Sequence, residues 1–293
     1  MSGGWRERVP WQARIGGKLV LSNLPGGRRL ARRLGAFRHG PMQEPAYAYD
    51  VFAAHLKKAG LWPPPQGFTC LELGPGESLF TAVIARTFGA ARITLVDSGA
   101  EAAREPALYR RMAADLEARG LTPPDLDGAR SLEEVLAACN AEYLTGGLGA
   151  LRRLTSASFD LVLSQAVLEH VRRAELPAVL AELRRITKAD GVGSHRIDLR
   201  DHLGGALNNL RFPEWLWESD VFAGAGFYTN RLQHPDLMAL FREAGFRPEV
   251  VELERWEALP TPRASLARPF RDRPESELTV SGFHVLLHPD GPD

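Results

Sequence analysis

Apolar positions along this chain alternate between two kinds of run. Short continuous runs, FTCLELG at 68–74, ITLV at 93–96 and FDLVLS at 159–164, end in Gly, Asp or Ser and predict buried parallel strands. Further strands are expected around Glu142–Thr145, at 192–199, 247–255 and 278–288. Between them the spacing changes to that of helices. Phe52, Leu56 and Ala59 mark one face over 46–59, stopped by Trp62 and three prolines. Helices are also expected at 78–88, 100–119 and 131–138. Another carries Leu176, Val179, Leu180 and Leu183, with Pro177 tolerable only in its first turn. The last, over 234–244, carries Leu237, Leu240, Phe241 and Ala244 and ends at Gly245. Strands alternating with helices predict an α/β fold, a Rossmann-like, mostly parallel seven-stranded sheet with helices on both faces. The chain closes strand–loop–strand with no helix between, so its last strand is expected to run antiparallel.

Composition agrees with a globular protein: 293 residues, 44% hydrophobic and 25% charged, with two cysteines, Cys70 and Cys139, too few for a disulfide framework. No run of 18 apolar residues suggests a membrane span, and no long apolar core follows Trp5–Arg8, so a cytoplasmic address is expected. The net charge is zero, but residues 1–40 hold nine Lys or Arg against Glu7 alone. Residues 1–45 therefore read as a basic arm and 46–293 as the folded domain. The arm either contacts an anionic surface, such as a membrane periphery, or packs on its own acidic body through Trp5, Trp11, Ile15, Leu19 and Leu21. No nucleic-acid-binding motif accompanies the charge, so no nucleic-acid partner is expected.

The candidate chemistry starts where the first strand meets the first sheet helix, in LELGPGES (71–78). Gly74 and Gly76 permit a tight turn and a close backbone approach to a ligand at the carboxyl edge of the sheet. Asp97 closes the next strand, placed to accept hydrogen bonds from two ribose hydroxyls. A dinucleotide fingerprint needs a third glycine three residues after Gly76, where this chain has Leu79. Glu72, two residues before Gly74, would repel a pyrophosphate but suits a primary ammonium. An adenosine joined to an amino acid satisfies both acids.

With LELGPGES, ITLVD ending at Asp97, and SFDLVLSQAVLEHV (158–171), the chain resembles the class I S-adenosylmethionine-dependent methyltransferases, close to the bacterial type 11 group, over residues 65–290. The resemblance implies S-adenosylmethionine as cofactor. The loop Gly74–Pro75–Gly76 would surround its amino-acid part, Glu72 its ammonium, Asp97 and Ser98 its ribose, and Ser164, Gln165 and Ala166 its flank after strand four. The family's usual acid after strand three is replaced by YLTGGL, which leaves adenine to backbone near Gly146.

Methyl transfer needs the acceptor atom held in line with the departing sulfur, and an oxygen or nitrogen acceptor also uses a base. SHRIDLRDHLGG places His195, Asp198, Asp201 and His202 at the ligand edge, with His195 or His202 as candidate base. Fixing the loop by hydrogen bonds is the alternative role for both. A metal site there is not expected, because residues three apart on a strand face opposite ways. His170 reads as a packing or capping residue. Residues 203–232 form an insertion whose Phe212, Trp215, Trp217, Phe222, Phe227 and Tyr228 suggest a lid over the acceptor, with Arg211 and Arg231 for an anionic group on it. Arg263, Arg268, Arg271 and Arg273 suggest a solvated loop. The expectation is a methyltransferase for a small or medium-sized acceptor, at oxygen. The alternatives are a degenerate methyltransferase fold serving as a binding or scaffold subunit, and an NAD-dependent oxidoreductase.

Overall fold

A computed structural model describes residue 12, residues 15–17 and residues 42–291. Trp5, Trp11, Leu19 and Leu21, and with them most of the basic arm, lie outside the described residues. The elements follow in the order α1 (Pro45–Lys58), β1 (Thr69–Leu73), α2 (Phe80–Thr87), β2 (Arg92–Asp97), α3 (Pro106–Ala118), α4 (Leu132–Ala138), β3 (Ala141–Thr145), β4 (Phe159–Gln165), α5 (Leu176–Ile186), β5 (Thr187–Asp198), α6 (His234–Glu243), β6 (Phe246–Arg255) and β7 (Val280–Pro289). All seven strands join one sheet in the order β3-β2-β1-β4-β5-β7-β6, with β7 antiparallel to both of its neighbours and the other pairs parallel.

The central strands are apolar on both faces because helices cover both. On one side, Phe52 and Leu56 of α1, Val83 of α2, Met112 of α3 and Val135 of α4 pack onto Cys70, Leu95 and Leu161. On the other, Leu180 and Leu183 of α5 and Leu237 and Phe241 of α6 pack onto Leu71, Val162 and Val285. The outer strand β6 is buried only at Phe246 and carries Arg247, Glu249, Glu252 and Glu254, charges that discourage pairing with another chain. Among the described residues no helix is long and apolar enough to cross a membrane.

Three elements differ from the expected bounds. The helix expected at 100–119 starts only at Pro106, which occupies its first turn and leaves Gly99–Glu105 as loop. Strand β5 begins five residues early, at Thr187, where an irregular register against β4 lets polar Lys188 and Asp190 sit in its exposed part. The insertion folds largely on itself: Trp217, Phe222, Phe227 and Tyr228 form a cluster with Leu203 and Ile15, joined by partly buried Phe212. Trp217 is fully buried and its indole donates to the Thr229 carbonyl at 2.7 Å, while Trp215 is 76% exposed. Five of the six therefore pack on one another, and none of the six lines the cavity at the ends of β1, β2 and β4.

Candidate functional site

A cavity of about 760 Å³ opens at the carboxyl ends of β1, β2 and β4, toward the upper end of the usual volume for ligand pockets. Its walls are Glu72, Gly74, Pro75, Gly76 and Glu77 after β1, Asp97, Ser98 and Glu101 after β2, and Gln165, Ala166, Val167 and His170 after β4. Met42, Gln43 and Glu44, placed by sequence in the arm, close one side, and Gly226 of the insertion closes another. Ser78 holds the first of these segments by donating its hydroxyl to the Met42 carbonyl at 2.8 Å.

The β1 turn is built by its glycines. Gly74 has φ of +72°, and a Cβ there would lie 2.5 Å from the Val167 side chain, so only glycine lets the β1 and β4 turns approach this closely. Ala166, at φ of +54°, is a rare left-handed alanine at the cavity wall.

Charge decides what the cavity favours. Glu44, Glu72, Glu77, Asp97 and Glu101 line it, and among the described residues no Lys or Arg does. Glu72 is buried, and its Oε2 has no hydrogen-bond partner among the described residues. Burial pushes its carboxyl up to about 7, with Asp97 adding to the rise and the Thr81 side chain opposing it. A cationic ammonium would supply the missing partner. Asp97 shapes its own loop: Oδ2 accepts from the Gly76 amide at 3.0 Å, and Oδ1 from the Ser98 amide at 2.6 Å. Oδ1 also accepts from the Ser98 hydroxyl at 3.3 Å and the Gly99 amide at 3.4 Å, whereas Oδ2 has Gly76 alone among the described residues and keeps an acceptor position for a ribose hydroxyl. The phosphates of a dinucleotide would meet only repulsion here. The donor set fits S-adenosylmethionine, whose sulfonium and ammonium are both positive.

His170, expected to pack, is at the cavity wall. Its Nδ1 lies 2.7 Å from the Tyr228 carbonyl, which can only accept, so Nδ1 carries the proton. Its Nε2 then faces His202 Nε2 at 3.0 Å as acceptor, and His202 donates. The neighbouring Asp198 carboxylate feels the charge of His202 and is held in a fork by Arg200.

Four residues expected at the site stand elsewhere. His195 is 1% exposed inside the sheet, its Nδ1 paired with Ser164 Oγ at 2.8 Å. Burial lowers its pKa to about 3, His55 adding to the shift, which makes it a weak base near neutral pH, and it is not a wall residue of the cavity. Ser164 is fully buried in that same pair and does not line the cavity. The reason is strand alternation, which turns every second β4 side chain away from the ligand edge. Gly146 is likewise absent from the walls, its carbonyl capping the turn at Gly149. His202 is not among the described wall residues either; it meets the cavity wall through His170. Met42–Glu44, Glu77, Glu101, Val167, His170 and Gly226 are wall residues that sequence reasoning did not assign to the site. For Val167 and His170 there was a signal, since both follow β4 directly.

Residues 71–193 match the family model described as a methyltransferase domain. No curated protein sequence matches. Similar solved structures include a S-adenosylmethionine-dependent methyltransferase from Methanosarcina mazei, 15% identical, covering 78% of this chain and 95% of that one, with a TM-score of 0.47. Another is the 1,6-didemethyltoxoflavin-N1-methyltransferase of Burkholderia thailandensis, 17% identical, covering 97% and 91%, with a TM-score of 0.45. An arsenic(III) S-adenosylmethionine methyltransferase from Chlamydomonas reinhardtii is 20% identical over 77% of this chain and 64% of that one, with a TM-score of 0.42.

Proposed function

We propose that this chain, whose residues 71–193 match the methyltransferase-domain model, is a class I S-adenosylmethionine-dependent methyltransferase that methylates a small or medium-sized acceptor at a hydroxyl oxygen. The observation that carries the acceptor reading is the imidazole pair at the cavity wall, His170 backed by His202. An aliphatic or phenolic hydroxyl is a poor nucleophile until its proton has somewhere to go, and a neutral imidazole is the side chain best matched to that task near pH 7.

The bound cofactor supplies a methyl group on a positive sulfur that leaves with its bonding pair. The protein supplies the rest. Glu72 would pair with the ammonium and Asp97 would hold the ribose, and the Gly74–Gly76 turn and Ala166 shape the wall between them. His170 Nε2 would take the acceptor proton once the His202 N–H turns away from its lone pair, leaving the acceptor oxygen able to bond to the methyl carbon. Asp198 offsets the charge the pair gains. Gly226 and the Met42–Glu44 segment close the cavity against water.

The test is transfer of labelled methyl from S-adenosylmethionine to a panel of alcohols, phenols, amines and thiols of matched size. Label in a methyl ether is expected, and His170→Ala should lower kcat/KM by roughly 10²–10⁴ with S-adenosylhomocysteine affinity little changed. The rate should fall at acid pH in wild type and lose that dependence in the variant. Label confined to nitrogen, sulfur or carbon acceptors, or a His170→Ala enzyme as fast as wild type, overturns the proposal.

A further inference from the structure

Between the insertion and the segment around residues 267–273 lies a second cleft, of about 120 Å³, walled in part by Arg173, Arg231, Arg273, Glu214 and Asp236. It shares no wall residue with the larger cavity. Two of its guanidiniums are matched: Arg273 reaches Asp236 at 2.8 Å and Glu277 at 3.1 Å, and Arg173 reaches Glu214 at 3.3 Å. Arg231 has no such match. It is 5% exposed, and its backbone is left-handed at φ of +60°. Nη1 donates to the Phe212 carbonyl at 2.7 Å, no carboxylate pairs with the guanidinium among the described residues, and Nε is buried without a partner. The rings of Trp217 and Phe270 flank it at 5.4 and 5.2 Å. Aromatic faces soften the loss of water but accept no in-plane N–H bond. Burial draws the guanidinium down to about 10, Glu218 and Glu214 opposing and Arg173 adding to the fall. Glu218 and Glu214 are near enough to act on it, yet no anion is hydrogen-bonded to the guanidinium among the described residues, and Nε is a donor left over.

We propose that this cleft binds one small oxyanion group, a phosphate or carboxylate, between the guanidiniums of Arg231 and Arg173. The planar fork of Arg231 matches two oxygens of either group. Arg173 is available to turn to it, because its present pair with Glu214 is long and solvent-exposed. The cleft has room for one such group and little more. The site stands on its own residues and does not depend on which atom the enzyme methylates.

The experiment is thermal unfolding of the full chain in inorganic phosphate against chloride at matched ionic strength. A phosphate-specific rise of about 3 °C is expected once phosphate exceeds its Kd tenfold. Arg231→Lys keeps the charge but not the fork and should lose most of that rise. Should Arg231→Lys not fold, Ala267→Glu decides, since it sets a carboxylate at the cleft wall. It should raise Tm without phosphate and abolish the phosphate response, while Ala267→Gln keeps the wild-type response. Acetate and phenyl phosphate distinguish the source. Binding of phenyl phosphate tighter than that of inorganic phosphate supports the anion as part of a larger ligand; equal binding supports the free ion. Equal Tm in phosphate and chloride for wild type, or an undiminished response in Ala267→Glu, overturns the proposal.

Discussion

A carboxyl buried with one oxygen unpartnered acts in opposite directions on folding and on binding, and Glu72 is such a residue. With its pKa raised to about 7, the folded protein keeps a proton on Glu72 that the unfolded chain releases near 4.5. Stability is therefore lost as pH rises from 4.5 through 7, and Glu72→Gln should raise the Tm of the unliganded protein at pH 8. A cationic ligand needs the charged form. S-adenosylhomocysteine affinity should drop about tenfold per unit as pH falls below 7, and Glu72→Gln should weaken it at pH 8 by at least tenfold. Calorimetry at pH 6, 7 and 8 with both proteins checks this. A pH-independent affinity in wild type would remove Glu72 from the ammonium site.

At the scale of elements, the insertion shows how one composition serves two ends. Its six aromatics stood out in the sequence, yet five of them cluster around Trp217, and what reaches the cavity is Gly226. Trp217→Ala should cost about 3–5 kcal/mol, as for other large side chains lost from cores, and also strand the Thr229 carbonyl. Trp215→Ala, two residues away and mostly exposed, should change stability by less than about 0.5 kcal/mol. Denaturant unfolding of the two variants makes the comparison. Similar losses in both would mean that the insertion packs differently. Element types were largely legible, because the period of the apolar positions shifts cleanly between strands and helices. The exceptions have local causes. Polar residues concealed the start of β5, and Pro106 set the start of α3 where the polar spacing did not.

Across the whole molecule, buried titratable groups define a stability profile. His55, His195 and His284 are held neutral by burial, with pKa values of about 4, 3 and 2 against an ordinary 6.5. Ser194 Oγ links His55 and His284 at 2.8 Å each, and His55 Nε2 meets Gln165 at 3.1 Å, so the group ties α1, β5 and β7 to the cavity wall. As pH falls through 6.5 the unfolded chain takes up three protons that the folded protein refuses, and stability drops. Glu72 and Glu169 act oppositely: burial raises Glu169 to about 8, so both remain protonated in the folded protein where the unfolded chain has released its protons. Their contribution falls as pH rises through 7 to 8. Between 4.5 and 6.5 three imidazoles outweigh two carboxyls, so the unliganded protein should be most stable near pH 6.5. A Tm series from pH 5 to 8.5 that rises steadily to the alkaline end would contradict this.

The α/β alternation, the antiparallel last strand, the glycine turn and the two acids at the strand ends were legible along the chain. These are local properties: a period, a turn that only glycine makes, a charge at a strand end. The tertiary structure decided which histidine meets the cavity. His195 and His202 stand close to the ligand edge in sequence, but sheet packing buries the first beside Ser164, and a turn after β4 brings His170 between the second and the cavity. It likewise decided that Met42–Glu44 serve the cavity and that Arg231 stands without a carboxylate partner. Burial, strand facing and contacts across 30 or more residues are settled only when the chain has closed on itself, and no spacing along it records them.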